Sequence, residues 1–323
     1  MANLRSKFST GEIIAAWEQA EGSVQDTAKV LSTYGRGEVS RQLARHWLVG
    51  LELHEPQQRS KPTPPPVVKI LSLDIETSPI EGRVWGLFKQ NVGLNQIVKD
   101  WNILSFCAKW LHSDEVIYQD LRDAPNVADD SELVAALWQL LDEADIVIAQ
   151  NGKRFDVPKI QARFLQHGYK PMRPFKVIDT MLMAKQQFGF TSKKLEYMTK
   201  TLCTIKKRDH EKFPGMELWN QCLAGNHEAW EEMRLYNIDD VLSMEELYLI
   251  MRPWYVGHPN VAIYNDSMVP ACPKCASNNI QQDGWTYTQT GKYEAMHCGD
   301  CGGWSRGRYT RNDIEVRRAQ FSN

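Results

Sequence analysis

The sequence has no long hydrophobic run and almost no excess of charge of either sign. No apolar stretch among its 323 residues approaches the length of a membrane span, and residues 1–7 contain no apolar signal-peptide core. The 38 lysines and arginines nearly balance the 40 acidic residues, which gives a formal net charge of -2. We therefore expect a cytoplasmic protein without a membrane partner, and any contact with nucleic acid would have to use local basic patches.

Cysteine is also scarce, and its number is odd. Four of the seven cysteines form two Cys-x-x-Cys pairs that are separated by 22 residues. An odd count without a secretion signal argues against a disulfide framework, whereas two such pairs are typical of a tetrahedral Cys₄ zinc site. The segments between the pairs alternate like two strands, so residues 265–310 resemble a zinc ribbon. We expect one structural Zn²⁺ ion, held by Cys272, Cys275, Cys298 and Cys301.

Two carboxylates end an apolar run that begins at residue 67. The run is rich in leucine and β-branched side chains, which predicts a strand buried on both faces. Asp74 and Glu76 are two residues apart, so they would project from the same side of this strand. Such close like charges are unfavourable unless a cation lies between them, and Mg²⁺ and Mn²⁺ prefer oxygen ligands. A strand that runs out into a polar turn would give the same pattern.

Further polar positions follow downstream. Asp156 lies at a predicted strand-to-helix junction, where open α/β sheets place their ligands, although it could instead cap the helix. Asp179 is predicted to be a structural cap. A long helix over residues 228–251 would put Tyr236 and Asp240 on one face, and periodicity alone does not separate Asp240 from the neighbouring Asp239.

The N-terminal part predicts a small helical domain over residues 1–52. Its helix, glycine-containing turn and helix resemble a helix-turn-helix DNA-binding unit, although a packing or oligomerisation module would have the same pattern. Arg41 and Arg45 on the third helix suit phosphates and base edges. Residues 53–66 form a proline-rich linker, because four closely spaced prolines are incompatible with a helix or a central strand.

Basic and aromatic side chains are mixed in three other segments. Trp85 and Phe88, flanked by Arg83 and Lys89, could stack on bases or belong to the core. Residues 193–212 carry seven basic and three acidic side chains, and residues 311–323 form a basic tail. These segments could follow a phosphate backbone or simply be solvated. The predicted nucleic-acid contacts are Arg41, Arg45, Lys193, Lys194, Lys206, Lys207, Arg306 and Arg308.

Three motifs occur in an order that resembles a known enzyme family. They are Asp74-x-Glu76-Thr77, Asn151-x-x-x-Phe155-Asp156 and Tyr236-x-x-x-Asp240, and residues 191–195 look like the segment that precedes the third motif in proofreading-type relatives. Residues 67–252 therefore resemble the DEDDy type of 3′–5′ exonuclease in the DEDD superfamily. The whole arrangement looks like that of phage-encoded members, which would place the protein in the host cytoplasm.

The resemblance implies an α/β fold, a ribonuclease H-like mixed sheet flanked by helices, with two catalytic Mg²⁺ or Mn²⁺ ions. Asp74 would bridge both ions, Glu76 and Asp240 would complete the nucleophile-side site, and Asp156 would act on the other ion, partly through waters. Tyr236 would orient the metal-bound water, because its ordinary pKa of about 10 makes it a weak base. These five residues form the predicted catalytic set.

The predicted activity is 3′–5′ exonuclease hydrolysis of DNA, at single-stranded ends. Two other kinds of nuclease stay open, an RNA-end-trimming ribonuclease and an endonuclease, because the motifs do not distinguish the two sugars. A catalytically silent DNA-binding adaptor is a third alternative. The zinc ribbon and the helix-turn-helix-like unit favour DNA over RNA, and a replication or recombination protein is a candidate partner.

Overall fold

The computed structural model describes residues 8–37, 39–51, 53, 68–89, 91–207, 210, 212–265 and 268–321. The chain divides into two units, Met1–Thr63 and Pro64–Asn323. The predicted proline-rich linker lies outside the described residues except for residue 53. Across the described ranges, none of the helices combines the length and the apolar character that crossing a membrane requires.

The first unit contains three helices, α1 (Thr10–Gln19), α2 (Val24–Thr33) and α3 (Arg41–Gly50). Ser9 and Glu12 form a capping box at the start of α1, which satisfies backbone N–H groups that a helix end leaves without partners. One hydrophobic core joins the helices, and its buried members are Phe8, Ile13, Ala16, Ala28, Leu31, Val39, Ala44, Trp47 and Leu48. A helix-turn-helix function for this unit stays a prediction.

The second unit is built around a mixed five-stranded sheet in the order β5-β4-β1-β6-β7. β1 pairs antiparallel with β4 and parallel with β6, so it is the central strand. A separate two-stranded ribbon, β2 with β3, lies between β1 and β4 in the sequence. The strands are β1 (Ile70–Thr77), β2 (Glu81–Gly82), β3 (Ile97–Lys99), β4 (Ile103–Trp110), β5 (Val116–Asp120), β6 (Ile146–Ala149) and β7 (Lys176–Asp179).

Helices cover this sheet and enclose two hydrophobic cores. One core contains Leu71, Leu73 and Ile75 of β1, whereas the other contains Ile70. The longest helix supplies Trp230 to the first core and Tyr248 to the second. The helices are α4 (Ser131–Glu143), α5 (Asp156–Gln166), α6 (Thr180–Gln187), α7 (Leu195–Leu202), α8 (Glu217–Leu223) and α9 (His227–Met251). The predicted α/β fold, with a mixed sheet flanked by helices, is confirmed.

The C-terminal part forms a three-stranded antiparallel sheet in the order β10-β9-β8. Its strands are β8 (Ile280–Tyr287), β9 (Lys292–Cys298) and β10 (Trp304–Arg306), and a short helix α10 (Ile314–Arg318) follows. The backbone N–H of Val261 donates to Pro273 O, and the Lys274 ammonium donates to Pro253 O. These bonds attach the small sheet to the segment that follows α9.

Candidate active site

Three carboxylates meet where β1 ends against α9. Oxygens of Asp74, Glu76 and Asp240 all lie within 4.8 Å of one another. The alternation of β1 turns Asp74 and Glu76 to the side opposite its core-facing leucines. Helix α9 contacts both β1 and β4, and this packing brings Asp240 to the strand. Periodicity alone could not separate Asp240 from Asp239. The structure places Asp240 in the cluster.

Asp156 lies beside this cluster but outside the group of three. It is the first residue of α5 and is only 1% exposed. Its Oδ1 accepts a hydrogen bond from the backbone N–H of Ile75 at 3.2 Å. This bond holds Asp156 against β1, at the residue between Asp74 and Glu76. The helix-capping alternative does not apply, because Phe155 occupies the cap position and no side chain caps this helix.

The close spacing changes the acidity of the whole group. Burial, followed by the negative charges of Asp156 and Asp240, raises the pKa of Asp74 well above its ordinary value. Burial and the charge of Asp240 raise the pKa of Glu76 to about 8, and burial raises the pKa of Asp156 to about 7. Because each added negative charge is unfavourable for the others, a bound cation would favour the ionised form of all of them.

Lys207 reaches into the site from the segment after α7. Its Nζ lies 2.5 Å from Asp240 Oδ2 and 2.8 Å from the hydroxyl of Tyr236. The same ammonium lies 4.1 Å from the centre of the Tyr236 ring. Lys207 was predicted to contact nucleic acid, and the structure brings it to the carboxylates instead of leaving it on a solvated face.

Tyr236 is held by aromatic neighbours as well as by Lys207. The rings of His210 and Trp219 meet it edge-on, with centroids 5.2 Å and 6.4 Å away. Burial and the charge of Asp240 raise the pKa of Tyr236 above its ordinary value. The phenol therefore keeps its proton at neutral pH and can donate a hydrogen bond, but it is not a general base.

The donor set fits divalent cations such as Mg²⁺ or Mn²⁺. All three clustered groups offer carboxylate oxygens, the ligands that these hard ions prefer. Asp240 Oδ1 is buried and has no hydrogen-bond partner within the described part of the chain. A buried acceptor without a partner is unfavourable, so an ion bound at this oxygen would remove that penalty.

Asn237 is a further member of the site, and we did not predict it from the sequence. It is fully buried, its Nδ2 donates to Asp74 Oδ2 at 2.6 Å, and its Oδ1 accepts from the Ser105 hydroxyl at 3.2 Å. The sequence does contain a signal for a buried Asn237, namely an amide among apolar residues on one face of the predicted helix. Asn237 lies on the same helical face as Met233 and Met244, where a buried amide needs a polar partner across the interface.

An apolar cleft with a volume of about 540 Å³ opens beside the carboxylates. Its walls include Glu76, Trp101, Phe155 and Trp219. The Lys159 ammonium lies 3.7 Å from the centre of the Trp101 ring, so a positive charge borders the aromatic wall. Flat apolar walls with a nearby cation suit a nucleotide, because a base can stack on them and its phosphate can meet the charge.

The other predicted nucleic-acid residues have different environments. Lys193 and Lys194 line a second cavity together with Lys207, and the Lys193 ammonium also donates to Phe190 O at 2.5 Å. The Lys206 ammonium donates to carbonyl groups at the end of α7, among them Thr199 O at 3.2 Å. The side chains of Arg41, Arg306 and Arg308 are exposed, and that of Arg45 lies outside the described residues.

Asp179 is not part of the cluster. It is the N-cap of α6, where its side chain accepts from the backbone N–H of Leu182 at 3.1 Å. It also accepts from the N–H groups of Asn151 and Lys153, in the turn that leads to Asp156. The prediction that Asp179 is a structural cap is confirmed.

The four predicted zinc ligands form a second cluster. Sulfur atoms of Cys272, Cys275, Cys298 and Cys301 lie within 4.8 Å of one another, with Sγ–Sγ distances of 3.7 Å for Cys272 and Cys301 and 3.6 Å for Cys275 and Cys298. Tetrahedral coordination with Zn–S bonds of about 2.3 Å puts sulfur atoms roughly 3.8 Å apart. Burial opposes ionisation of Cys298, but the backbone N–H groups of Cys301 and Asp300 lower its pKa to about 7. The cluster therefore fits a structural zinc ion.

Comparison with known proteins finds a family match in the central part of the chain. Residues 99–252 match the model of the RNase_H superfamily. The matched range includes Asp156, Tyr236 and Asp240, whereas Asp74 and Glu76 precede it. No curated protein sequence matches the chain.

A solved structure shares limited similarity with the chain. It is the family B DNA polymerase from the hyperthermophilic archaeon Pyrobaculum calidifontis, which is 12% identical over 71% of this chain, with a TM-score of 0.43. The match covers 32% of the polymerase chain. The matched part of this chain therefore spans about a third of the length of that polymerase.

Proposed function

We propose that the protein is a metal-dependent 3′–5′ exonuclease that hydrolyses phosphodiester bonds at single-stranded DNA ends. The observation that carries the proposal is the group of Asp74, Glu76 and Asp240, whose carboxylates lie within 4.8 Å of one another. The RNase H superfamily match over residues 99–252 supports nucleic acid as the substrate. The order of the three sequence motifs supports the DEDDy type.

The carboxylates would hold two Mg²⁺ or Mn²⁺ ions. When bound, such ions stabilise the charge that develops on the phosphate and lower the pKa of a coordinated water. Asp74, Glu76 and Asp240 would be direct ligands. Asp156 would act from its position beside β1, and Asn237 would fix the orientation of Asp74 through the 2.6 Å hydrogen bond.

Tyr236 and Lys207 would act on the reacting groups without accepting a proton. The protonated Tyr236 can donate a hydrogen bond that orients the attacking water, and the packing of His210 and Trp219 limits the movement of its ring. Lys207 places a positive charge beside Asp240, and a cation there would stabilise the negative charge that develops on the phosphate during displacement. The apolar cleft would receive the base of the terminal nucleotide between Trp101 and Phe155.

We also propose roles for the flanking parts. Cys272, Cys275, Cys298 and Cys301 would bind one structural Zn²⁺ ion, because four thiolates leave no open position for catalysis. The exposed Arg306 and Arg308, together with Arg41 and Arg45, would contact the phosphate backbone of DNA. These contacts would add affinity that falls with rising salt concentration.

A digestion assay with two label positions tests the proposed polarity. Single-stranded DNA and RNA of one sequence, labelled at either end, are incubated with Mg²⁺ or Mn²⁺. We expect a ladder of shortened products from the 5′-labelled DNA, early release of a mononucleotide from the 3′-labelled DNA, and slower reaction on RNA. The Asp74→Asn variant should form no ladder, whereas Asp123→Asn, which changes an exposed aspartate elsewhere, should behave as wild type.

The same assay separates the alternative functions. Cleavage of a circular single strand would indicate an endonuclease, and faster shortening of RNA than of DNA would indicate a ribonuclease. DNA binding without cleavage of any substrate would contradict the exonuclease and indicate the adaptor.

A further inference from the structure

The segment between β1 and β4 lies beside the cleft and has no role in the chemistry described above. The segment of described residues 79–89 and 91–99, here called the arm, leaves the sheet after β1 and returns before β4. Short strands at its base pair Glu81 with Lys99 and Gly82 with Ile97. The Arg83 N–H donates to Gln96 O at 2.8 Å, which extends this pairing. The arm is therefore a defined projection of the sheet.

Large apolar side chains on the arm face solvent. Trp85 is 98% exposed, Leu87 is 89% exposed and Leu94 is 88% exposed. Trp85 therefore belongs to no hydrophobic core, and the core alternative for this residue is wrong. Large exposed apolar side chains that recur within one short segment are typical of an interaction surface.

The base of the arm is continuous with the cleft. Residues 77–80 and Trp101 all line the cleft together with Glu76. The two ends are locked together, because the Ser78 N–H donates to Asn102 O and the Asn102 N–H donates to Ser78 Oγ, both at 2.9 Å. Trp85 is eight residues from Thr77, so it lies at most about 28 Å from the end of β1 along the chain. That distance corresponds to about eight stacked nucleotides.

The charges of the arm favour nucleic acid over an apolar protein partner. Arg83, Lys89 and Lys99 lie on it, and Glu81 is its single acidic residue. Lys99 approaches Glu81 at 3.8 Å, which leaves a net positive arm. Basic side chains around exposed aromatic rings suit a single strand, because cations follow the phosphates and rings stack on unpaired bases.

We propose that the arm binds the single strand that leads into the cleft and that Trp85 stacks on one of its unpaired bases. This inference rests on the proposed nuclease function, because it assigns the strand in the cleft as the ligand of the arm. The arm would hold the strand several nucleotides from the reacting phosphate. It would raise substrate affinity without touching the reacting atoms.

Oligonucleotide binding to the full chain tests this proposal. Affinity for a single-stranded oligo-dT and for a blunt duplex is measured with Mg²⁺ present, in an Asp74→Asn background that prevents turnover. Trp85→Ala should weaken binding of the single strand by at least about fivefold, because stacking of one base is removed. Trp85→Phe should retain most of the affinity, and Trp254→Ala, which changes another exposed tryptophan, should bind as wild type.

Several results would overturn the arm proposal, each independently of the nuclease assay. Equal single-strand affinity of Trp85→Ala and wild type would remove the stacking role, as would no measurable binding by either protein. An equal loss of affinity for the blunt duplex would mean that Trp85 does not read unpaired bases. A wild-type dimer that Trp85→Ala dissociates, at unchanged affinity, would assign the arm to a second copy of the chain. If wild type cleaves no substrate while Trp85→Ala still weakens single-strand binding in the Asp74→Asn background, only the proposed chemistry fails.

Discussion

Single residues decide whether like charges can be held together at the end of β1. Asp74 has both a carboxylate neighbour and an amide partner, because the Asn237 side chain donates to its Oδ2 at 2.6 Å. The same amide accepts from Ser105. Asn237 thus links β1, β4 and α9 at the point where the metal ligands meet.

Replacing Asn237 with alanine tests this link. The buried Asp74 and Ser105 would lose a partner, which should lower the free energy of unfolding by about 1–3 kcal/mol. Affinity for Mn²⁺ should fall by about 10–100-fold, the usual effect of removing a residue that orients a metal ligand. Denaturant unfolding and calorimetric Mn²⁺ titration measure the two quantities. Unchanged Mn²⁺ affinity would show that Asn237 does not position Asp74.

The second prediction for a single residue concerns the effect of Lys207 on stability. Without metal, its ammonium is the hydrogen-bonded cation at Asp240, so Lys207→Met should lower the thermal midpoint in EDTA. The free energy of unfolding should fall by about 2–3 kcal/mol, because the variant removes hydrogen bonds to charged groups. Added Mn²⁺ should reduce the difference in thermal midpoint between Lys207→Met and wild type, since the ion supplies the missing positive charge.

A matched control is available for this variant. Lys212→Met removes a lysine that pairs with Glu228 at the surface, where both side chains are more than half exposed. It should change stability little, with or without metal. Equal midpoints for Lys207→Met and wild type in EDTA would contradict the role of Lys207 in balancing the carboxylates.

How far the sequence predicts these residues depends on the local signal. Asp74 and Glu76 follow from a two-residue alternation on one strand, and Asp156 follows from a strand-to-helix junction. Asn237 and the insertion of Lys207 depend on the packing of α9 against β1 and on the path of the chain after α7. Those arrangements are tertiary, so no local pattern around Lys207 separates it from the solvated lysines nearby.

At the scale of elements, helix α9 connects the site to the C-terminal sheet. Beyond its end, His258 is packed against Tyr248, whose hydroxyl lies 2.9 Å from His258 Nε2. Nδ1 lies 2.7 Å from the carbonyl of Pro259, which can only accept, so Nδ1 carries the proton and Nε2 accepts from the tyrosine. Burial is the main cause that lowers the pKa of His258 to about 4, with the charges of Arg252 and Lys274 acting in the same direction.

This neutral histidine predicts a pH dependence of stability. The unfolded chain binds a proton at His258 near its ordinary pKa of about 6.5, whereas the folded chain does not until about pH 4. At His258 the unfolded state therefore holds more protons between these values, and the contribution of this residue to stability falls as the pH is lowered. The loss should be on the order of 2 kcal/mol between about pH 7 and about pH 5.

The contribution of His258 can be separated from that of the zinc site. Denaturant unfolding is measured at both pH values for wild type and for His258→Gln, which share the four cysteines. The wild type should lose more stability on acidification than the variant does. Equal losses would mean that His258 is protonated in the folded protein or does not differ from the unfolded state.

Elements with strong local signals follow from the sequence. The predicted long helix over residues 228–251 begins one residue later than α9. The strand pairing around β1 does not follow from the sequence, because alternation identifies a strand but not its neighbours. The exposure of the arm is likewise a tertiary fact, since aromatic residues between two strands are equally compatible with a core.

At the scale of the whole molecule, two candidate metal sites of different chemistry lie in the described part of the unit Pro64–Asn323. The carboxylate cluster offers hard oxygen ligands, whereas the cysteine cluster offers four thiolates. Divalent Mg²⁺ or Mn²⁺ and Zn²⁺ should therefore partition between them by ligand type. The central claim is that the carboxylate cluster, and not the cysteine cluster, supports hydrolysis.

The most direct test is the rate of single-strand DNA cleavage as Mn²⁺ is added to protein freed of weakly bound metal by EDTA. For wild type, we predict no cleavage before Mn²⁺ is added and a cleavage rate that then rises to saturation. For Asp240→Asn, we predict a rate at least about a hundredfold lower than that of wild type at every Mn²⁺ concentration. Asp123→Asn should follow the wild-type curve. Cleavage that persists in EDTA, or an Asp240→Asn variant as active as wild type, would contradict the assignment of the active site to these carboxylates.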